Sequence, residues 1–248
     1  LMDIGTATPA PEYLKRVPHH FINELTPDLV WSAGQFYRDA RQRIRAIRSR
    51  GNFPVVVGGT GLYLEALGQG LFKEPPRKTE IRNHYEAELA KVGAESLWER
   101  LREIDPDYAA AFHFNDVKKL VRAFEIFHIT GMPPTQAFRQ SPDPFDLNEF
   151  RIILARPREI LYTKINERVK TMLAAGLIEE CQALRQAGYS PALYPLKTIG
   201  YRETFQFLDG DLGKTKMIDQ IQQHTRNYAK RQLTWFRNHP YQAWIELT

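Results

Sequence analysis

Phe53-Pro54-Val55-Val56-Val57-Gly58-Gly59-Thr60-Gly61 is the stretch on which the fold turns. Its continuous apolar run of β-branched residues predicts a strand buried on both faces, as in a covered parallel sheet. Gly58 and Gly59 break the run, and residues 62–71 resume with helical character. Strand, glycine turn and helix in succession are the grammar of an α/β nucleotide-binding core. The turn brings backbone N–H groups and the Thr60 hydroxyl to a helix start, where anions are favoured. Taken alone, such a turn is more often a plain connection.

Upstream, residues 32–51 read as a helix. Ser32 is placed to cap it, and Phe36, Ala40, Ile44 and Ile47 form a stripe at helical spacing. Arg38, Arg41, Arg43, Arg45, Arg48 and Arg50 fall on the remaining faces and read as solvated. Downstream of Glu74-Pro75-Pro76 the pattern becomes almost purely helical up to about residue 140. Gly93 and Gly131 act as stops there, and Asp105-Pro106 and Asn115-Asp116 as starts. Residues 74–146 are thus expected to be a helical insertion, closed by Ser141-Pro142-Asp143-Pro144. The α/β core is expected over 1–73 and 147–248. A second buried strand is predicted at Arg151-Ile152-Ile153-Leu154-Ala155. Helices are predicted over 157–175, 177–187, 199–208 and 214–237, and a last strand at 243–247.

Composition bounds the class. The chain has 248 residues, 43% of them hydrophobic and 25% charged, which suits a folded globular protein. No apolar run approaches the ~20 residues that span a bilayer. With one cysteine, Cys181, an internal disulfide is impossible. Cys181 reads as a small packed residue, and a cytoplasmic setting is expected. The histidines, His19-His20 included, lack the Cys/His spacing of a zinc site. The chain opens on Leu1-Met2-Asp3-Ile4-Gly5-Thr6, which does not resemble a signal peptide and reads as the interior of a longer chain.

The net charge of +5 favours polyanionic partners without establishing them. Between residues 220 and 240 lie Arg226, Lys230, Arg231 and Arg237 and no acidic residue. Arg226, Lys230 and Arg237 share one helical stripe, with Tyr228, Trp235 and Phe236 interleaved. Basic groups neutralise phosphates, and aromatic rings stack on unpaired bases. A packed helix with solvated arginines explains the same pattern equally well. Lys118, Lys119 and Arg122 lie on one side of a second helix, where a solvated face is the default. From these residues alone, an enzyme with a phosphorylated donor and an RNA acceptor and a small-molecule kinase are both open.

Taken in order, several motifs resemble the tRNA dimethylallyltransferase (isopentenyltransferase) family. They are Met2-Asp3-Ile4-Gly5-Thr6-Ala7, Val17-Pro18-His19-His20, Val57-Gly58-Gly59-Thr60-Gly61-Leu62-Tyr63, and Asn115-Asp116 with Arg122-Ala123. Met172-Leu173-Ala174-Ala175-Gly176, Ile199-Gly200-Tyr201-Arg202 and Ala229-Lys230-Arg231-Gln232-Leu233-Thr234-Trp235 follow. Each is modest; the ordered set covers the whole chain and is specific.

The resemblance implies a P-loop NTPase-like parallel sheet with a helical insertion. It implies transfer of a dimethylallyl group from dimethylallyl diphosphate to N6 of the adenosine 3′-adjacent to the anticodon, with Mg²⁺ aiding the leaving diphosphate. By position, Thr60 and Arg168 are the expected catalytic residues, with Gly58 and Gly59 as the diphosphate-side turn. Lys118, Lys119, Arg122, Lys197, Gly200, Tyr201, Arg202, Lys230, Arg231, Gln232, Thr234, Trp235 and Arg237 match the stretches that hold tRNA. Lys118-Lys119 and Lys197-Thr198 depart from the pairs usual in the family but keep the charge. The insertion would contact the anticodon stem-loop. Family members carry a Gly-x-Thr-x-x-Gly-Lys-Thr loop and then an aspartate general base. Neither stretch occurs in these residues, so the reading places both upstream of Leu1. With no zinc-finger extension, the pattern is that of bacterial members. A monomer is expected, with no membrane partner. Three other readings remain: a relative that prenylates free adenine nucleotides, a catalytically dead RNA-binding fragment, and an unrelated P-loop kinase.

Overall fold

The computed structural model describes residues 2–29, 31–70, 78–139, 147–239 and 243–247. The chain divides into two compact units, 1–31 with 150–248, and 32–149. The segments 74–76 and 141–144, where the insertion is expected to begin and end, lie outside the described residues.

In the unit 32–149, Ser32 caps α2 (Ala33–Ser49) by accepting from the Gln35 N–H at 3.1 Å, a contact worth about 1 kcal/mol. The buried face of α2 is Tyr37, Ala40, Arg41 and Ile44; Ala40 and Ile44 are from the expected stripe, and its Phe36 and Ile47 are half-buried. Arg41 is therefore not solvated: its guanidinium lies 4.8 Å from the centre of the Tyr37 ring and donates to the Tyr37 hydroxyl. An arginine can bury its stem and stack its head where an aromatic faces it. The helix α3 (Gly61–Gln69) packs on α2, with Phe36 stacked on Tyr63 at 4.8 Å.

Between them the run 53–57 differs from expectation. It pairs with no strand among the described residues. Phe53 is 87% and Val57 91% exposed. Among the described residues neither a ladder nor a covering layer meets the β-branched Val55, Val56 and Val57.

The helical stretch forms α4 (Thr79–Val92), α5 (Ala94–Ile104), α6 (Pro106–Ala110), α7 (Val117–Thr130) and α8 (Pro134–Arg139). The predicted punctuation is found. Gly93 and Gly131 end α4 and α7 with positive φ, a conformation glycine adopts without Cβ strain. Asp105 and Asp116 cap α6 and α7. Buried Asp105 also accepts from the Thr135 N–H at 2.7 Å and the Thr135 hydroxyl at 2.8 Å, tying α8 to α6. Leu97, Leu101, Leu120, Val121 and Phe124 make this core.

The other unit begins with an N-terminal segment containing α1 (Pro11–Arg16), then β1 (Ile152–Ala155), α9 (Arg158–Ala174) and α10 (Leu177–Gln186). A 3-10 turn at Tyr194–Lys197, α11 (Tyr201–Leu208), α12 (Lys214–Arg237) and β2 (Ala243–Glu246) complete it. β1 and β2 pair in parallel, Ile152 opposite Ala243 through Ala155 opposite Glu246. Among the described residues β1 is covered on one face: Ile153 is buried, Ile152 and Leu154 exposed. α12 packs on α9 and α11. Val169, Leu177, Leu184, Leu196, Phe205, Met217 and Ile221 form the core around Cys181. Cys181 is fully buried, and burial pushes its thiol up to about 12.

Candidate functional site

Gly58, Gly59 and Thr60 belong to the unit 32–149. Thr60 is the N-cap of α3, and its carbonyl accepts from the Tyr63 N–H at 2.9 Å. Its hydroxyl makes no capping bond and is exposed, so it is open to a ligand at a helix start. Gly58 has open space where a Cβ would stand. On α7 the three expected cations diverge. Lys118 is exposed and carries no partner among the described residues, while Lys119 pairs with its own cap Asp116 at 3.6 Å. Arg122 turns inward to the fully buried Glu125 at 2.7 Å, so its guanidinium already serves the helix core.

The remaining predicted residues belong to the other unit. Arg168 stands on α9 beside buried Ile165 and Val169, which fix the helix face. The Arg168 side chain is exposed and has no hydrogen bond or ion pair among the described residues. An arginine left unpaired next to a packed face is suited to an anion.

Around α11 the stretch 197–202 separates into outer and inner residues. Lys197 and Arg202 are exposed; Gly200 and Tyr201 are buried. Gly200 has φ +98°, and its N–H donates to Glu203 Oε2 at 2.8 Å. The other oxygen of fully buried Glu203 accepts from Arg202 Nη2 at 2.5 Å and lies 2.7 Å from His224 Nδ1. Burial alone would raise the Glu203 carboxyl. The Arg202 and Gly200 donors outweigh it and hold the carboxyl below its ordinary value. Glu203 thereby fixes where Arg202 points. Tyr201 is not surface: its hydroxyl donates to Glu180 Oε1 at 2.6 Å, and its pKa is raised by burial and by Glu180. Glu180, Glu203 and His224 were not anticipated from the motifs. The spacing of Gly200 and Glu203, that of a helix cap and its N3 acid, is the signal for one of them.

On α12, Arg226 is tied to Asn166 of α9 at 2.8 Å. Lys230 and Arg237, from the same stripe, are exposed and have no side-chain partner among the described residues. Arg231 lies over the Tyr228 ring, and Thr234 returns its hydroxyl to the Lys230 carbonyl. Trp235 is half-buried and stacked on His239 at 4.5 Å, with Gln232 beside the same turns. Among the described residues, no group of three His, Cys, Asp or Glu side chains could hold a metal ion. No described helix is long and apolar enough to cross a membrane.

Residues 1–239 match the IPP transferase family. The tRNA dimethylallyltransferase of Geobacter sulfurreducens is 42% identical over 248 residues, spanning 99% of this chain and 79% of its own length. That of Syntrophobacter fumaroxidans is 40% identical, spanning 99% and 72%. The crystal structure of the full-length tRNA isopentenylpyrophosphate transferase from Bacillus halodurans superposes with a TM-score of 0.69 at 36% identity, over 99% of this chain and 77% of that one. A eukaryotic dimethylallyltransferase captured acting on tRNA superposes with a TM-score of 0.76 at 26% identity, over 94% and 60%. These likenesses carry the α/β, P-loop NTPase-like fold across the parallel strands described above. The chain belongs to the IPP transferase family.

Proposed function

We propose that this protein transfers a dimethylallyl group from dimethylallyl diphosphate to N6 of the adenosine 3′-adjacent to the anticodon of tRNA. The observation that carries this reading is the kinship with tRNA dimethylallyltransferases along 99% of the chain. In the step, the N6–C1 bond forms, the C1–O bond breaks, diphosphate leaves with the electron pair, and N6 loses a proton. A neutral exocyclic amine is a weak nucleophile, so the step depends on positioning and on a base. No residue of this chain is assigned as that base. Arg168, exposed and unpaired, is suited to the charge that grows on the leaving diphosphate. The free Thr60 hydroxyl is suited to the amine or the diphosphate. Lys118 in one unit, and Lys197, Arg202, Lys230, Arg231 and Arg237 in the other, are suited to tRNA phosphates, and Trp235 shares α12 with the last three. Gly200 and Tyr201 are buried beside Arg202 and hold its turn from within. Mg²⁺ bound with the donor would offset the negative charge of the leaving diphosphate. A monomer in the cytoplasm, of the bacterial type, completes the reading.

The test offers labelled dimethylallyl diphosphate to the protein with unmodified tRNA and, separately, with AMP. Label in tRNA is the expected result. Label in AMP alone would make the protein a free-nucleotide prenyltransferase and overturn the reading.

A further inference from the structure

Where α11 packs on α12, three side chains converge on one carboxylate oxygen. Glu203 is fully buried, while the side chains of Arg202 and His224 are 44% and 36% exposed. His224 Nδ1 lies 2.7 Å from Glu203 Oε1 and 3.0 Å from Arg202 Nη2. Arg202 Nη2 and Nε lie 2.5 and 3.1 Å from the same Oε1. An arginine and a histidine therefore share Oε1. The other oxygen already accepts from the Gly200 N–H at 2.8 Å and does not relieve the sharing.

The chemistry of the partners decides the state of Nδ1. A guanidinium only donates, and an ionised carboxylate only accepts. A bare Nδ1 would accept from Arg202 but set its lone pair against Glu203 Oε1. An Nδ1 that bears hydrogen donates to Glu203 and stands beside a second donor aimed at the same oxygen. The shorter contact is the one to the carboxylate, which favours the second arrangement. An added proton then goes to Nε2, so the bond to Glu203 stays and a charge appears beside Arg202. The trio passes from net charge zero to +1, and two cations draw on one oxygen. The hold of Glu203 on Arg202 weakens accordingly. The other helix packed on α12 is α9, and there Arg226, on the far side of α12 from His224, meets the uncharged Asn166. Within one turn of His224 on α12 itself, the charged or titratable side chains are Arg226 and Tyr228.

We propose that His224 is a positioning residue for Arg202: when protonated it loosens the Glu203 hold and releases the guanidinium to an RNA phosphate. The contact then strengthens as pH falls through the range in which histidines titrate. This rests on the reading that Arg202 faces tRNA.

The test is fluorescence anisotropy of a labelled anticodon stem-loop RNA bound to the whole protein, in salt series at about pH 8 and about pH 6. Glu203 stays ionised at both, since its carboxyl is held below its ordinary value. Wild type should bind about three- to tenfold more tightly at the lower pH, with a log K against log salt slope steeper by about 0.7–0.9, the gain of one phosphate contact. His224→Gln should lose that gain. Arg202→Ala should lose it too, because the imidazolium is then matched by Glu203 alone. Thermal melting checks that both variants stay folded; a role in folding alone would move the melting temperature and leave the pH dependence of binding as it is. Wild-type affinity that does not change with pH, or a gain that survives undiminished in His224→Gln, overturns the proposal while leaving the tRNA reading in place. A gain kept in Arg202→Ala overturns it in favour of direct contact between His224 and the RNA. Absence of RNA binding by the wild-type protein at both pH values removes the tRNA reading and the proposal together.

Discussion

Glu180 gathers four donors: the Asp3, Ile4 and Gly5 N–H groups at 2.8, 2.8 and 3.3 Å and the Tyr201 hydroxyl at 2.6 Å. Gly5 fits because it lacks a side chain; a Cβ there would stand 2.3 Å from Tyr201 Cε2. Gly5→Ala should therefore destabilise the protein by about 1–3 kcal/mol in urea unfolding, the usual range for forced overpacking. An unchanged midpoint would show that the Tyr201 ring is free to yield. Cys181 offers a second test at this scale. A buried thiol pushed up to about 12 is almost wholly protonated at pH 8 and should react with a thiol reagent only as fast as the protein unfolds. Arg168→Ala should lower the rate of prenyl transfer by about 10²–10³, the cost of losing one donor to developing charge. Its tRNA affinity should stay near wild type; equal loss of both would remove Arg168 from the diphosphate.

Most helices were legible because their signals are local. Ser32, Asp105 and Asp116 cap where the sequence places them, Gly93 and Gly131 stop where they should, and α12 has the predicted limits. The strand expected at 53–57 was less legible, because burial of a strand depends on neighbours that its own residues do not encode. Arg41 and Arg122 failed as surface charges for a related reason: an arginine's fate is decided by the Tyr37 or Glu125 it meets. The exposed cations Arg168, Lys230 and Arg237 were legible in the sequence as charges; the buried carboxylate that orients Arg202 was not. Glu203 illustrates this. Its folded pKa is depressed, so its contribution to stability is present above the unfolded carboxylate value of about 4.3. That contribution is lost as pH falls from there through the folded value. Urea midpoints should fall on that acid side in wild type and change less in Glu203→Gln. Parallel curves for the two proteins would mean that Glu203 does not control the junction of α11 and α12.

For the molecule as a whole, family membership, the open Thr60 hydroxyl and the unpaired cations on α9 and α12 support one activity. The most direct measurement is analysis by nucleoside mass spectrometry of a tRNA that lacks the modification, after reaction with dimethylallyl diphosphate. One new nucleoside, N6-dimethylallyladenosine, is expected, confined to the fragment that carries the position 3′ of the anticodon. Unmodified tRNA in a reaction that prenylates AMP, or a dimethylallyl group on another nucleoside, would contradict it.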